Sequence, residues 1–403
     1  MALMNLATYG YTMIAARSLG PREYGALAAM MNLLLVVSVL SLGLQATAAR
    51  RVSAHPGDVA QIEREVRALV WRTAALLGAA LVLLSPLVNT LLQLDDLRLA
   101  ALAGVAAVPL TLVGGFSGVL QGERRWLPLG LVYLANGVPR IVLGGLAVTV
   151  SPTALGAFVG VTLGVFVPAA VGRWALRGRR ADAGENPLHG RRAILRETAH
   201  NSQALLAFFA LSNVDVIVAR NALPDHEAGL YAGGLILTKM LMFLPQFVVV
   251  VAFPSMSSAA ERTRPLTISL LGTATVGLLC TGGVAVLSPL ALALVGGQEF
   301  AAVEPHLWAF ALAGTTLALV QLLVYSVLAR RSQRSSYLVW AALVALVAGG
   351  SLTDSVTALL LWVLVVDTAL LLALVAISYL LVRRHEPTAV QEPEQSAATA
   401  GAL

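Results

Sequence analysis

Long apolar runs recur along the whole chain, and they restrict what it can fold into more than any other feature. Runs of roughly 17 to 28 residues follow one another, and about 20 apolar residues are what an α-helix needs to cross a bilayer. A backbone inside lipid must satisfy its own hydrogen bonds, so only helices or a closed β-barrel can span it. Barrel strands would be about 10 residues long and strictly alternating. The sequence therefore predicts an all-α polytopic membrane protein.

The composition agrees with this class. Of the 403 residues, 58% are hydrophobic and 12% are charged, whereas about 25% are charged in typical soluble domains. A net charge of +6 would suggest a nucleic-acid partner in a soluble protein. Here the arginines lie in short loops between apolar runs, so we expect no nucleic acid. A single cysteine, Cys280, excludes disulfides within the chain and cysteine-based zinc sites.

The apolar pattern predicts twelve membrane spans. The first run lacks the basic start and cleavage site of a signal peptide, so we assign it to a short transmembrane helix, and the natural start is expected to lie at or upstream of Met1. The predicted spans are residues 2–18, 25–48, 66–92, 97–121, 127–150, 152–176, 198–221, 228–253, 266–295, 302–329, 337–353 and 355–382.

Arginines indicate the orientation of these spans. With the N-terminus in the cytoplasm, most arginines fall in internal connections, as the positive-inside rule requires. Acidic residues such as Asp95 and Glu299 then lie outside. We expect a multi-pass protein of the cytoplasmic membrane with both termini cytoplasmic.

The longest internal connection divides the chain into two halves. We predict a six-helix lobe over residues 1–176, a basic linker over 177–197, a second six-helix lobe over 198–384, and a disordered cytoplasmic tail over 385–403, which is rich in Ala, Pro, Glu and Gln.

One phrase of the sequence occurs twice, about half a chain apart. "AARSLGPREYG" begins at Ala15, and "VARNALPDHEAG" begins at Val218. Arg17 matches Arg220 at an offset of 203 positions, and "LSPL" at Leu84 recurs at Leu287 with the same offset. A constant offset that equals six spans predicts two homologous bundles. Because six is even, both bundles enter the membrane in the same direction, as parallel repeats related by a pseudo-twofold axis along the membrane normal.

Several phrases resemble a known family. "ARSLGPREYGALAAMMNLL", "GLQATAARRV", "LQGERR", "NVDVIVARNALPDHEAGLYAGG" and "GGQEFAAVEPHL" resemble polysaccharide and lipid-linked oligosaccharide exporters of the multidrug/oligosaccharidyl-lipid/polysaccharide (MOP) exporter superfamily. The resemblance covers the chain up to about Arg384. It implies two six-helix lobes around a central cleft, which flip polyprenyl-diphosphate-linked sugars to the outer leaflet by alternating access. It also implies contacts with the bilayer and with glycan-assembly proteins.

Three charged residues lie near the middle of predicted spans: Arg140, Lys239 and Asp367. A charge at the bilayer centre costs about 2.5–3.5 kcal/mol on insertion scales, so each one needs a partner or a wet cavity. Tyr133, Asn136 and Arg140 follow at i, i+3 and i+7, which places them on one helical face. That face is expected to point away from lipid.

The functional interpretation is that Arg140 and Lys239 bind a diphosphate from opposite lobes, with Asn136 and Tyr133 beside them and Arg17 helping near the outer mouth. Arginine forks and lysine charges both suit phosphate oxygens. A structural interpretation is equally open at this stage: Lys239 neutralises Asp367 within the second lobe, Arg140 binds backbone carbonyls, and Arg17 reaches the interface.

Two carboxylates are candidates for coupling transport to an ion gradient. Asp215 and Asp367 lie within apolar spans, and a desolvated carboxylate can exchange a proton or bind sodium in a useful range. Structural pairing is the alternative. No cofactor other than a coupling proton or sodium ion is expected.

Three other functions are alternatives for a membrane protein of this kind. A membrane-embedded glycosyltransferase or polymerase would need catalytic residues on sizeable loops, and the external loops are short. A multidrug exporter of the same superfamily would share the architecture, so it is the nearer alternative. A scaffold or uncoupled pore would not explain charges at mid-membrane depth.

Overall fold

The structure is a computed structural model that describes residues 2–177, 191–242, 263–329 and 333–383. Its first half contains helices α1 (Ala2–Ala54), α2 (Val59–Leu83), α3 (Ser85–Leu91), α4 (Leu97–Gly122), α5 (Trp126–Val150) and α6 (Ala154–Ala175). Its second half contains α7 (Arg191–Ala222), α8 (Asp225–Met242), α9 (Thr263–Val286), α10 (Ser288–Val295), α11 (Leu307–Ala329), α12 (Gln333–Gly350) and α13 (Val356–Arg383). Short 3₁₀ turns cover Pro56–Asp58 and Gln298–His306.

Helix α1 contains the first two predicted spans, separated by one non-helical residue. Gly20 adopts φ 69° and ψ 173°, a backbone conformation that glycine adopts without the steric cost of a Cβ atom. Pro21 follows, and proline suits the first position of a new helix because it has no amide hydrogen to pair. We call residues 2–19 the first segment of α1 and residues 21–54 its second segment.

The third and ninth predicted spans are each broken near their outer ends, at the duplicated "LSPL". The sequence predicted one helix over 66–92 and one over 266–295, but α2 gives way to α3 at Leu84 and α9 gives way to α10 at Leu287. Pro86 and Pro289 cannot donate to the carbonyl four residues earlier, so the helix stops and restarts. The two halves therefore repeat a break as well as a phrase.

Glycines allow the helices of each lobe to pack closely. In the first lobe, a Cβ atom on Gly118 of α4 would lie 2.5 Å from the Gln45 carbonyl oxygen of α1. In the second lobe, a Cβ atom on Gly314 of α11 would clash with the backbone of Thr238 in α8. Small residues at such crossings are how membrane helices gain van der Waals contact without a hydrophobic driving force.

The two lobes meet through α1, α7 and α8. Helices α2, α4, α5 and α6 pack with α1 on one side, while α11, α12 and α13 pack against α7 and α8 on the other, and α9 packs against α11. Helix α1 itself packs against both α7 and α8. The predicted all-α fold of about twelve spans in two lobes is confirmed. Eight helical stretches among the described residues are long and apolar enough to cross a membrane.

Three predicted segments fall partly or wholly outside the described residues. Of the predicted span over 228–253, residues 243–253 lie outside them. Of the predicted linker over 177–197, residues from Arg191 onward already belong to α7, and 178–190 lie outside the described ranges. The predicted tail over 385–403 lies outside them as well.

Candidate functional site

Arg140 is a cation without a hydrogen-bonding partner among the described residues. It lies in the middle of α5, half-buried, and its Nε atom is buried with no hydrogen bond. Its electrostatic neighbour is Tyr11 of α1, whose hydroxyl donates to the Ala157 carbonyl oxygen at 3.1 Å. Because α6 approaches with Gly164 beside the Arg140 backbone, there is little room for lipid on that side. The guanidinium is thus placed to bind an anion.

The polar face of α5 lies against α1, along both of its segments. Tyr133 accepts a hydrogen bond of 2.9 Å from Gln45 Nε2 in the second segment. Asn136 donates to Met4 Sδ at 3.5 Å in the first segment, and its Oδ1 atom is buried without a partner. The face predicted from the spacing of Tyr133, Asn136 and Arg140 therefore points to the interior of the first lobe.

Lys239 is held within the second lobe. Its ammonium donates to the Ser212 carbonyl oxygen and to Asn213 Oδ1, the latter at 3.1 Å. It also interacts electrostatically with Asp215 and Asp367. Unlike Arg140, this cation has both hydrogen-bond acceptors and counter-charges close by.

The two carboxylates near Lys239 are almost fully buried. Asp215 is 2% exposed and Asp367 is 1% exposed. Asp215 accepts hydrogen bonds from the Val216 amide at 2.9 Å and the Tyr231 hydroxyl at 3.4 Å. Asp367 Oδ1 is buried, and no described residue forms a hydrogen bond with it. We refer to Asp215, Lys239 and Asp367 as the carboxylate cluster.

The carboxylate cluster contains an odd number of charged groups, so they cannot neutralise one another completely. Two ionised carboxylates and one ammonium leave a net charge of −1 on two buried carboxylates and a half-buried ammonium. An unbalanced buried charge is expensive, so such a site takes up one proton or one monovalent cation. The cluster therefore has the composition of a site for exchangeable positive charge.

The first segment of α1 lies between the two mid-membrane cations. The Tyr9 hydroxyl donates to the Lys239 carbonyl oxygen at 2.7 Å, whereas Tyr11 faces α5 and α6, next to Arg140 and Gly144. Residues two apart on a helix point about 200° apart. The structure thus does not bring Arg140 and Lys239 together around one ligand in this conformation.

Arg17 lies at the end of the bundle where the two segments of α1 meet, which the predicted topology makes the outer end. Its Nη2 atom donates to the Ala293 carbonyl oxygen at 2.6 Å. Ala293 belongs to α10, so this contact joins the two lobes. A ligand role for Arg17 stays a prediction.

Several residues that complete these environments were not predicted from the sequence. Asn213 and Tyr231 hold members of the carboxylate cluster, and Gln45 holds Tyr133. These residues are polar and lie inside apolar spans, which marks them as candidates. The spacing of residues along one helix does not indicate which side chains of different helices contact each other. Glu197, which pairs with Arg50 and with Arg51 at 2.9 Å, was likewise counted only as part of a basic connection.

An open groove lies beside this last contact, between α1, α2 and α7. Its volume is about 1180 Å³. Apolar side chains of Val36, Leu40, Leu77 and Leu206 form much of its wall, and Arg196 and Glu197 lie at the end nearest the start of α7. This arrangement is complementary to a lipid, because the apolar wall matches an apolar chain and the charged end matches a polar head group.

Comparisons with known proteins agree with the fold. A family model described as "Polysaccharide biosynthesis protein" matches residues 1–260, which is more than half of the chain. No curated protein matches the chain in sequence.

Solved structures of transporters share the architecture. A multidrug resistance MATE family transporter of the MOP superfamily in its inward-facing conformation has a TM-score of 0.76 at 14% identity, with 96% of each chain covered. An outward-facing MATE transporter gives 0.64 at 12% identity over 95% of this chain and 93% of the other. A MOP superfamily transporter from Pyrococcus furiosus, described as having a binding pocket of reverse polarity that suggests a different function, gives 0.64 at 13% identity with the same coverage. At these identities the likeness concerns the fold.

Proposed function

We propose that this chain, which belongs to the polysaccharide biosynthesis protein family, moves a polyprenyl-diphosphate-linked sugar from the cytoplasmic to the outer leaflet by alternating access. It is a multi-pass membrane transporter in family and fold. The substrate, the direction and the location in the cytoplasmic membrane are part of the proposal. No chemical step is required, because the substrate changes only its side of the membrane.

The unpartnered guanidinium of Arg140 supports an anionic substrate most directly. A half-buried cation at membrane depth without a counter-ion is costly unless a ligand supplies one. A diphosphate offers several oxygens to a planar, five-donor guanidinium. Asn136 and Tyr133 lie on the same face of α5, and we assign them to the same head group.

Lys239 has a different role in this proposal. Its ammonium is already bonded to Ser212 and Asn213, so binding a diphosphate would require it to leave them. We assign it to the carboxylate cluster, where the odd charge admits a proton or sodium ion that drives transport. Asp367, with its unbonded oxygen, is the member best suited to receive that ion.

The groove beside α7 supports a lipid-linked rather than a water-soluble substrate. Its apolar wall suits an isoprenoid chain, and Arg196 lies at the end where a charged head group would be. The groove lies between α1 and α7, so an isoprenoid chain bound in it would lie at the contact between the lobes. The chain could then remain in lipid while the head group crosses.

The direct test uses purified protein in vesicles with a fluorescent polyprenyl-diphosphate disaccharide and an impermeant quencher. Wild type, Arg140→Ala and Arg140→Lys are compared, with Arg98→Ala as the matched control because Arg98 is exposed and pairs only with nearby Asp96 among its described contacts. We expect Arg140→Ala to slow leaflet exchange by at least about tenfold, the loss expected for one charge-assisted bond. Arg140→Lys should lie between, and Arg98→Ala should match wild type. Equal exchange in all four proteins would refute the proposal.

Multidrug export is the second candidate, and the likeness to MATE structures favours it. Vesicles that contain a cationic dye distinguish the two. Gradient-driven dye efflux without exchange of the lipid-linked sugar would support the multidrug function instead.

A further inference from the structure

The arginines of the duplicated phrase make the same contact in reciprocal directions. Arg17 in α1 donates to the Ala293 carbonyl oxygen near the end of α10, in the opposite lobe. Arg220 in α7 donates to the carbonyl oxygens of Leu92 and Gln93, directly after α3 in the first lobe. Helices α3 and α10 each begin within a copy of "LSPL". Each arginine therefore binds carbonyl oxygens at or just after the C-terminal end of the corresponding short helix in the other lobe.

The chemistry of these contacts is strong. The last carbonyls of a helix have no partner within the helix and carry the negative end of its dipole. A guanidinium donates charge-assisted hydrogen bonds to them. Arg220 is 5% exposed, so its bonds are shielded from water. Arg17 is exposed, so its single bond is weaker.

Two equivalent glycines of the duplicated phrase also lie close together, beside Arg220. A Cβ atom on Gly25 would lie 3.0 Å from the Gly229 Cα atom and 3.2 Å from Arg220 Nη1. Gly25 and Gly229 occupy equivalent positions of the two phrases. Residues that contact their own equivalent lie on the symmetry axis that relates the two copies. The axis of the repeat therefore passes through this contact.

Further contacts between the lobes surround the axis. Arg22 Nε lies 3.6 Å from Asp225 Oδ2, and the rings of Tyr24 and Phe300 meet edge to face at 6.1 Å. These residues all belong to, or follow, the duplicated phrase and the duplicated short helix. The two lobes thus contact each other at the outer end through equivalent segments of both copies.

We propose that Arg17 and Arg220, here called the arginine pair, form a two-fold gate that holds the outer end closed, and that the outer end opens only when both arginines release the opposite short helix. Both arginines belong to the duplicated phrase, so the two copies of the phrase provide the two halves of this gate. The proposal rests on the predicted topology, which makes this the outer end, and on the transport cycle proposed above in that the outer end must open once per cycle.

The test measures opening of the outer end without any substrate, so its outcome is independent of what the protein carries. Cys280 is replaced by Ser, and a reporter is introduced as Ala16→Cys. Ala16 is fully buried and lies 3.4 Å from the place a Cβ atom on Gly296 would take. Intact cells are treated with a membrane-impermeant maleimide, and the rate of labelling from outside is measured.

Arg17→Gln, Arg220→Gln and the double variant are compared in this background, with Arg98→Gln as the control. Each lost charge-assisted bond should raise labelling by about tenfold or less, since it shifts the closed-to-open equilibrium by that order. We expect a larger rise for Arg220→Gln than for Arg17→Gln, the largest rise for the double variant, and none for the control. Lysine at either position should restore most of the closure.

A second reporter separates opening from loss of structure. Ala103 is fully buried within the first lobe, so Ala103→Cys should stay unlabelled when only the gate opens. Equal rises at Ala16→Cys and Ala103→Cys would overturn the proposal, because they would mean general loosening. Unchanged labelling of Ala16→Cys in the double variant would overturn it as well.

Discussion

The two lobes each place one cation at mid-membrane depth, but they hold it in opposite ways. Arg140 in the first lobe has no hydrogen bond from its Nε atom, whereas Lys239 in the second lobe is bonded to Ser212 and Asn213 and faces two carboxylates. Among the described residues, the cation of the first lobe therefore has no bonded partner. The second lobe uses its charge to balance buried acids.

This difference is not part of the internal repeat. The segment of α12 that corresponds to Arg140, residues 343–348, reads "LVALVA", and the position 203 before Lys239 is Val36. At the outer end, by contrast, both copies retain the arginine, the proline, the glycine and the short helix. The contacts at the outer end are thus shared by both copies, whereas the surroundings of the mid-membrane cations differ between the lobes.

The largest effect is expected for Lys239→Met. Removing the ammonium leaves Asp215 and Asp367 buried without their counter-charge, and breaking such a pair costs about 3–5 kcal/mol. Thermal unfolding of the purified variant should show a clear loss of stability. Adding Asp215→Asn should recover part of it, because one of the uncompensated charges is then gone. A melting temperature equal to that of wild type would contradict the cluster.

Asp367→Asn should uncouple transport from its driving gradient. Coupling free energies of about 1–3 kcal/mol correspond to roughly 5- to 150-fold effects, so we expect gradient-driven accumulation to fall by about tenfold while passive exchange persists. Arg140 is untouched by this change, so substrate should still bind. If Asp367→Asn and Asp215→Asn both kept full gradient dependence, the second lobe would not be the coupling lobe.

A smaller effect is expected at the start of α4, outside the membrane. Asp96 accepts hydrogen bonds from the Arg98 amide at 2.8 Å and from its guanidinium at 3.1 Å, which lowers the pKa of Asp96 below its usual value. Asp96→Ala should cost about 1 kcal/mol at neutral pH, as for other lost N-caps.

The pH dependence of that effect follows from the lowered pKa. The ionised form stabilises the folded state above the unfolded pKa of about 3.9, and this stabilisation is lost as the pH falls through the folded pKa. The difference between wild type and Asp96→Ala in thermal unfolding should therefore shrink below about pH 4. Asp96→Asn, which caps without titrating, should show no such change.

The smallest change in stability is expected for Arg140→Met. No hydrogen bond or ion pair among the described residues is lost, and replacing a buried charge by an apolar side chain is often neutral or stabilising. We expect a change of less than about 1 kcal/mol, measured beside Lys239→Met under the same conditions. Destabilisation as large as that of Lys239→Met would remove the difference between the lobes.

Much of the fold could be predicted because lipid imposes a simple rule on sequence. Each span must be a long apolar helix, so α4, α5 and α6 were located within a few residues. The breaks after α2 and α9 were not predicted, because a proline near the end of a span reads equally well as part of the helix. The duplicated "LSPL" contains the proline of each break, but its repetition by itself predicts only that the two halves are homologous.

The candidate site was predictable in part. Mid-span charge and i, i+3, i+7 spacing identified Arg140, Lys239 and the polar face of α5. Spacing along one helix cannot tell what faces it from another, so the partners Asn213 and Tyr231 and the position of α1 between the two cations were not foreseen.

The sequence by itself determined the class, the number of spans and the two-fold repeat, because hydrophobic length and internal similarity are properties of a linear chain. Tertiary structure decided which cation is paired and which is free, and that Arg17 and Arg220 each reach the opposite lobe. These depend on distances between residues that are 26 to 276 positions apart, and electrostatic and hydrogen-bond energies are significant only across a few ångströms.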